Sequence, residues 1–234
     1  MTLASAPGAM LRHVSHRSSL PRYAPPVGVS RRTDSLPTPR PVLHVMAMPN
    51  LKRDWTVADL ADLPEDGNRY EVLDGTLYVT PAPSFDHQTA LQLLYRLIAD
   101  YLEREPVGFV FIAPADVTFS QRRGVQPDLF VMPPHGADAR RPRRFEDGRH
   151  LMLAVEVLSP TTGRADRVAK RTVYREEGVE VYWVVDLEAR TFERSLPTDS
   201  RVEVLADRIE WRPAGAAQPL MIGLEDYFRR VLDA

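Results

Sequence analysis

The segment Leu151-Met152-Leu153-Ala154-Val155-Glu156-Val157-Leu158 is apolar at every position but one. A run of this length, closed by Ser159-Pro160, reads as a β-strand buried on both faces. It therefore demands a sheet that other elements cover on both sides. The exception is Glu156. An ionised carboxylate in such a strand costs several kcal/mol unless a cation or hydrogen bonds compensate it. Its presence predicts a partner and a use.

The elements around this strand follow from local patterning. Arg69–Leu73 and Thr76–Thr80 read as strands joined at Asp74-Gly75, a strong hairpin signal. Thr56–Leu60 reads as a short helix capped by Thr56 or Asp54. Ser84 or Asp86 can cap a long helix ending near Arg104, whose Leu91, Leu94, Leu97, Ile98, Tyr101 and Leu102 keep the 3.6-residue period. Gly108–Ala113, Asp116–Phe119 and Asp128–Met132 read as strands, and Pro133–Arg149 as a polar, arginine-rich loop. A helix over Asp166–Glu177 ends at Gly178, a C′ glycine. Val179–Leu187 is a second strongly apolar strand. Thr191–Leu196, Arg201–Leu205 and Arg208–Arg212 alternate like an antiparallel meander near the C-terminus, and Leu224–Leu232 reads as a terminal helix. This order predicts an α/β or α+β fold built on a central mixed sheet flanked by helices.

Residues 1–50 are different in kind. They carry six arginines, one acidic residue, many Pro and Ser, and no apolar period. Composition predicts a disordered tail there, or a misplaced start before Met46 or Met48, with the folded domain spanning 54–234. The whole chain of 234 residues has a net charge of −2, too weak a field for a protein that coats nucleic acid, though compatible with a local basic groove. The absence of cysteine excludes disulfides and cysteine-ligated metal sites. No apolar run reaches membrane-spanning length and no secretory core is visible, so no membrane partner and cytoplasmic residence are expected.

Four further residues join Glu156 as candidates for chemistry. Asp128 follows Pro127 at the head of an apolar strand. If the two strands are neighbours, the carboxylates of Asp128 and Glu156 could reach one divalent ion. Magnesium, or manganese in its place, accepts such oxygen donors, polarises a phosphodiester and lowers the pKa of an attacking water. Lys170 is one of only two lysines, the other being Lys52, in a chain with 30 basic residues. From the flank of its helix's apolar arc (Ala165, Val168, Ala169, Thr172 and Val173) its ammonium could stabilise charge developing on phosphorus. Glu71 shares a strand face with Leu73, and His87 sits in the first turn of the long helix; either could assist. Taken singly, each has a plainer reading. Asp128 can be a turn residue, Lys170 a surface lysine paired with Asp166, Glu71 a solvent-facing acid and His87 a surface histidine; Tyr174 could donate a hydrogen bond but reads more plainly as a packing residue.

Together they form a pattern. Glu71-Val72-Leu73-Asp74-Gly75, Ser84-Phe85-Asp86-His87, Pro127-Asp128, Glu156-Val157-Leu158-Ser159-Pro160, Asp166 with Lys170, Tyr174 with Gly178-Val179, and Tyr182-Trp183-Val184-Val185-Asp186 occur in that order. Over about residues 54–228 the chain resembles the Uma family of restriction-endonuclease-like proteins, within the PD-(D/E)XK nuclease superfamily. The resemblance implies a restriction-endonuclease-like core and magnesium-dependent cutting of DNA, with Glu71, Asp128, Glu156 and Lys170 as catalytic residues. It implies Asp128 and Glu156 as metal ligands. The superfamily's lysine ordinarily lies two residues after the second acid, a position held here by Leu158. The resemblance implies that Lys170, on the next helix, replaces it. DNA contacts are expected from the loop carrying Arg140, Arg141, Arg143 and Arg144, and a homodimer is expected because cutting two strands often uses two sites. The alternative expectation is an inactive nucleic-acid-binding or regulatory protein on the same scaffold.

Overall fold

The computed structural model describes residues 54–147, 150–159, 163 and 165–233, all within the compact unit Leu43–Ala234. The expected tail at 1–50 and the turn residue Pro160 lie outside the described residues. The elements are β1 (Arg69–Leu73), β2 (Thr76–Thr80), α1 (Phe85–Arg104), β3 (Phe109–Ile112), β4 (Val117–Ser120), β5 (Arg123–Val125), β6 (Leu129–Met132), β7 (Leu153–Val157), α2 (Arg171–Glu176), β8 (Tyr182–Asp186), β9 (Thr191–Ser195), β10 (Glu203–Leu205), β11 (Arg208–Trp211), β12 (Leu220–Gly223) and α3 (Leu224–Leu232). A single 3-10 stretch, Val57–Asp62, precedes β1, with Asp59 accepting from the Thr56 backbone and hydroxyl. A second, Phe145–Asp147, lies in the loop before β7.

The central sheet has six strands in the order β10-β9-β8-β7-β6-β3. The β7–β8 pair is parallel and the other pairs are antiparallel, so the sheet is mixed, as expected. Parallel neighbours need a crossover, and the segment holding α2 supplies it. β2, β1, β5 and β4 form a second, antiparallel sheet. Positive φ at Asp74 (52°) and Gly75 (83°) gives the tight β1–β2 turn its form. β8, β9 and β10 form the meander's antiparallel succession. β11 then leaves it and pairs with β12 as a separate hairpin, with Ile209 and Trp211 buried against the core.

β7 is buried along its whole length, and its side chains alternate between two cores. Leu153, Val155 and Val157 join Leu94 and Ile98 of α1, Trp183, Phe192, and Tyr227 and Phe228 of α3. Ala154 joins Phe130, Val184, Val173, Tyr174, and Leu73 of β1 in the other. Alternation puts Glu156 on this second face, between the central sheet and the layer formed by α2 and the smaller sheet.

Candidate active site

Among the described residues, the buried polar and charged side chains are Glu71, His87, Asp128, Glu156 and Lys170. These are the five residues that the sequence singles out. Glu156 is 0 % exposed and Lys170 is 2 % exposed. Such burial removes the plainer readings of Lys170 and Glu71 as solvated surface groups.

The strand register brings the two acids together. β6 and β7 pair with Leu129 opposite Val155 and Phe130 opposite Ala154. One step further sets Asp128 opposite Glu156, on one face of the sheet, where directly opposed side chains are close neighbours. The Asp128 backbone is held by Ala113 N–H at 3.0 Å, which continues the β3 pairing. Asp128 Oδ2 accepts from Val157 N–H at 2.8 Å, which ties the aspartate to the strand of its partner acid.

Lys170 and Tyr174, four residues apart, reach Glu156 from above. Lys170 Nζ lies 2.9 Å from Glu156 Oε1 and 2.9 Å from Glu71 Oε1, bridging the two glutamates. The Tyr174 hydroxyl donates to Glu156 Oε1 at 3.0 Å. Burial, with the Glu156 charge beside it, holds that hydroxyl well above the ordinary tyrosine range, so it remains a donor. Tyr174 also packs on Tyr182 at 4.8 Å between ring centroids, so it both packs and bonds. Glu71 Oε1 accepts from Gln126 N–H at 2.8 Å as well.

The buried face of this helix differs from the expected arc. Val168 is 62 % exposed, whereas Lys170, Val173 and Tyr174 point inward. The cause is visible in the backbone: Ala165–Lys170 winds as a π-helix before α2 begins, which rotates the face away from an ideal 100° wheel. The carboxylates beneath then select a lysine over a valine. The expected partner of Lys170, the Asp166 side chain, lies outside the described residues.

Asp128 and His87 meet at the mouth of the site. Ser84 caps α1 by accepting from His87 N–H at 3.2 Å, which sets the first turn. His87 Nε2 then lies 3.1 Å from Asp128 Oδ2, and the helix N-terminus favours the nearby carboxylate. His87 is thus a buried partner of Asp128, not a surface group. Arg69, which the sequence reading passed over, donates from one terminal nitrogen to Asp128 Oδ1 at 2.7 Å and to Gln126 O at 3.0 Å. Its Nε is 3.6 Å from Glu71 Oε2. Burial opposes the Arg69 charge, but Glu156, Glu71 and Asp128 outweigh it and raise its pKa. Burial likewise opposes ionisation of Asp128; the His87 hydrogen bond and the Arg69 charge prevail and hold it below the ordinary carboxylate range. A cleft of about 290 Å³ opens beside this end of the site, lined by Arg69, His87, Asp128, Gln126, Ser159 and the Pro81–Pro83 stretch. Glu71, Glu156 and Lys170 lie behind that wall.

Asp128 and Glu156, opposed on one sheet face, are oxygen donors of the kind a hard divalent cation takes. No three acidic or histidine side chains among the described residues are spaced to chelate an ion. The groups between the carboxylates are cationic, with Arg69 on Asp128 and Lys170 on both glutamates.

Comparison with known proteins bears on this arrangement. The sequence profile of the Uma2 family, described as "putative restriction endonuclease", matches residues 57–216, well over half of the chain. The chain belongs to the Uma2 family. The match includes Glu71, His87, Asp128, Glu156 and Lys170. The fold is similar to a crystal structure titled a putative nuclease from Anabaena variabilis, with a TM-score of 0.63, 20 % sequence identity, and coverage of 76 % of this chain and 99 % of that one. Comparison with curated proteins gave no match. The restriction-endonuclease-like architecture read from the sequence is therefore the fold of this Uma2 member. No helix among its described residues is long and apolar enough to cross a membrane.

Two of the four arginines in the loop of this family member pair with acids of the same loop, and a third lies over an aromatic ring. Arg140 pairs with Asp138, Arg144 with Asp147, and Arg141 lies 4.9 Å from the centre of the Phe111 ring. Arg69 and Tyr174 are the contacts to the acids that sequence reasoning missed or undervalued. Arg69 shares a strand face with Glu71 two residues on, a signal that was available in the alternation of β1.

Proposed function

We propose that this protein is a metal-dependent endonuclease that hydrolyses DNA phosphodiester bonds. The observation that carries this reading is the buried placement of Asp128 opposite Glu156 with the Lys170 ammonium on Glu156. Asp128 and Glu156 would hold magnesium or manganese. When bound, such an ion polarises the phosphodiester and activates water.

The chain's own groups perform the remaining tasks. Lys170 is held by Glu71 and Glu156, so its charge is positioned before substrate arrives, and it stabilises negative charge developing on phosphorus. Glu71 is a positioning residue for that ammonium. Tyr174 fixes one oxygen of Glu156, and His87 with Val157 N–H fixes one oxygen of Asp128. Arg69 and Gln126 present the cleft wall to a phosphate. A homodimer would supply two such sites for two strands.

The test is nicking of supercoiled plasmid with magnesium or manganese, comparing wild type with Glu156→Gln, which keeps the side-chain volume. The expected loss in the variant is about a hundredfold or more. Equal rates would reject the assignment. Binding of DNA by the wild type without cutting under either metal would favour the inactive, nucleic-acid-binding alternative.

A further inference from the structure

We propose that Arg69 is a displaceable counter-cation, which occupies Asp128 until a divalent ion takes its place and then grips the substrate phosphate. This rests on the metal-nuclease reading above. It concerns the order in which the site's charges exchange.

The geometry divides the oxygens of Asp128. Oδ2 is committed to His87 Nε2 and Val157 N–H, both buried. Oδ1 is held by the Arg69 guanidinium at 2.7 Å. An ion ligated by Asp128 through Oδ1 would share that oxygen with the guanidinium, two positive groups on one atom, and like-charge repulsion favours exchange over coexistence. Among the described residues, three carboxylates stand against two cations, so an added divalent ion would make the net charge of this set positive. Glu71, Asp128 and Glu156 already face the Arg69 guanidinium and the Lys170 ammonium. Adding a divalent ion without moving either one would place like charges side by side in a buried pocket, which is costly.

Of these two cations, Arg69 is the one that can leave. Its side chain is 17 % exposed and lines the cleft, whereas that of Lys170 is 2 % exposed and lies behind the wall. Its charge persists wherever it goes, and a planar guanidinium matches two oxygens of a phosphate better than an ammonium does. A phosphodiester entering the cleft offers that second seat. Metal and phosphate then favour each other through one side chain. The phosphate draws Arg69 off Oδ1 and the ion occupies it, a reciprocal coupling.

A structural role for Arg69, holding Asp128 ready for the ion, predicts the opposite sign, so manganese affinity decides. Calorimetric titration of manganese into the full-length wild type, Arg69→Gln and Arg69→Lys, each checked by circular dichroism, is the experiment. The expected result is tighter manganese binding by Arg69→Gln, about tenfold, which corresponds to about 1.4 kcal/mol. Arg69→Lys keeps the charge but lacks the fork, and a smaller tightening is expected. It decides the matter alone if the glutamine variant does not fold. Plasmid nicking should fall in both variants despite the tighter metal. Unchanged or weaker manganese binding in the folded variants, with binding by the wild type, overturns the proposal and leaves the nuclease reading standing. No manganese binding by any of the proteins overturns both.

Discussion

At the scale of single residues, the molecule is organised by where charge is buried and what answers it. Lys170 answers Glu71 and Glu156; Arg69 and His87 answer Asp128. Removing one partner from such a group leaves an unmatched buried charge, which typically costs about 3–5 kcal/mol. A more peripheral pair shows the pH consequence. Asp186 accepts from Ala189 N–H at 2.8 Å and pairs with Arg167, which also binds Glu193 at 2.6 Å. Burial opposes ionisation of Asp186, but the Ala189 bond and Arg167 overcome it and lower its pKa. A carboxyl lowered in the folded state adds stability above its unfolded pKa, near ~4, and that stability is lost as pH falls through the folded value. Urea midpoints measured from pH 7 to pH 2 should therefore drop on acidification. Asp186→Asn should be less stable at pH 7 by about 1 kcal/mol and should show a shallower acid drop, because Arg167 is partly solvated. Parallel acid profiles for the two proteins would refute the linkage.

At the scale of elements, the site depends on how one helix begins and ends. Its π-helical start turns Lys170 and Tyr174 inward together, and its end at Gly178 returns the chain to β8. Gly178 adopts a φ of +72°, and an added Cβ would meet no atom within 4 Å. Gly178→Ala should thus cost about 1 kcal/mol through backbone strain alone, measured by chemical denaturation, with the fold intact. A neutral substitution would show that the left-handed turn is not needed there. Which elements were legible follows the same logic of local determinants. Asp74-Gly75 announced β1 and β2 to the residue, and the Ser84 cap with a 3.6-residue period announced α1. β5, of three residues, is too short to show an alternation, and tertiary pairing creates it. The π turn had no sequence signal, so an ideal wheel put Val168 in the buried arc, whereas it is 62 % exposed.

At the scale of the whole molecule, acids distant in sequence meet because a mixed sheet sets their strands side by side and a second layer closes over them. Glu156 was legible as a charge in an oily strand, and Asp128, Glu71 and Lys170 as charges whose convergence the family resemblance implied. Their mutual arrangement was not, since register and crossover decide it. Arg69 escaped notice because, beside the Asp66-Gly67-Asn68 turn, it reads as an ordinary surface cation. The cleft, the paired carboxylates and the positioned ammonium make a coherent account only if one ion joins Asp128 and Glu156. Diffraction at the manganese edge from crystals soaked in manganese measures this directly. An anomalous peak within bonding distance of both carboxylates is expected, with Lys170 still on Glu156. A peak elsewhere on the protein, with these two side chains ligating nothing, would contradict it.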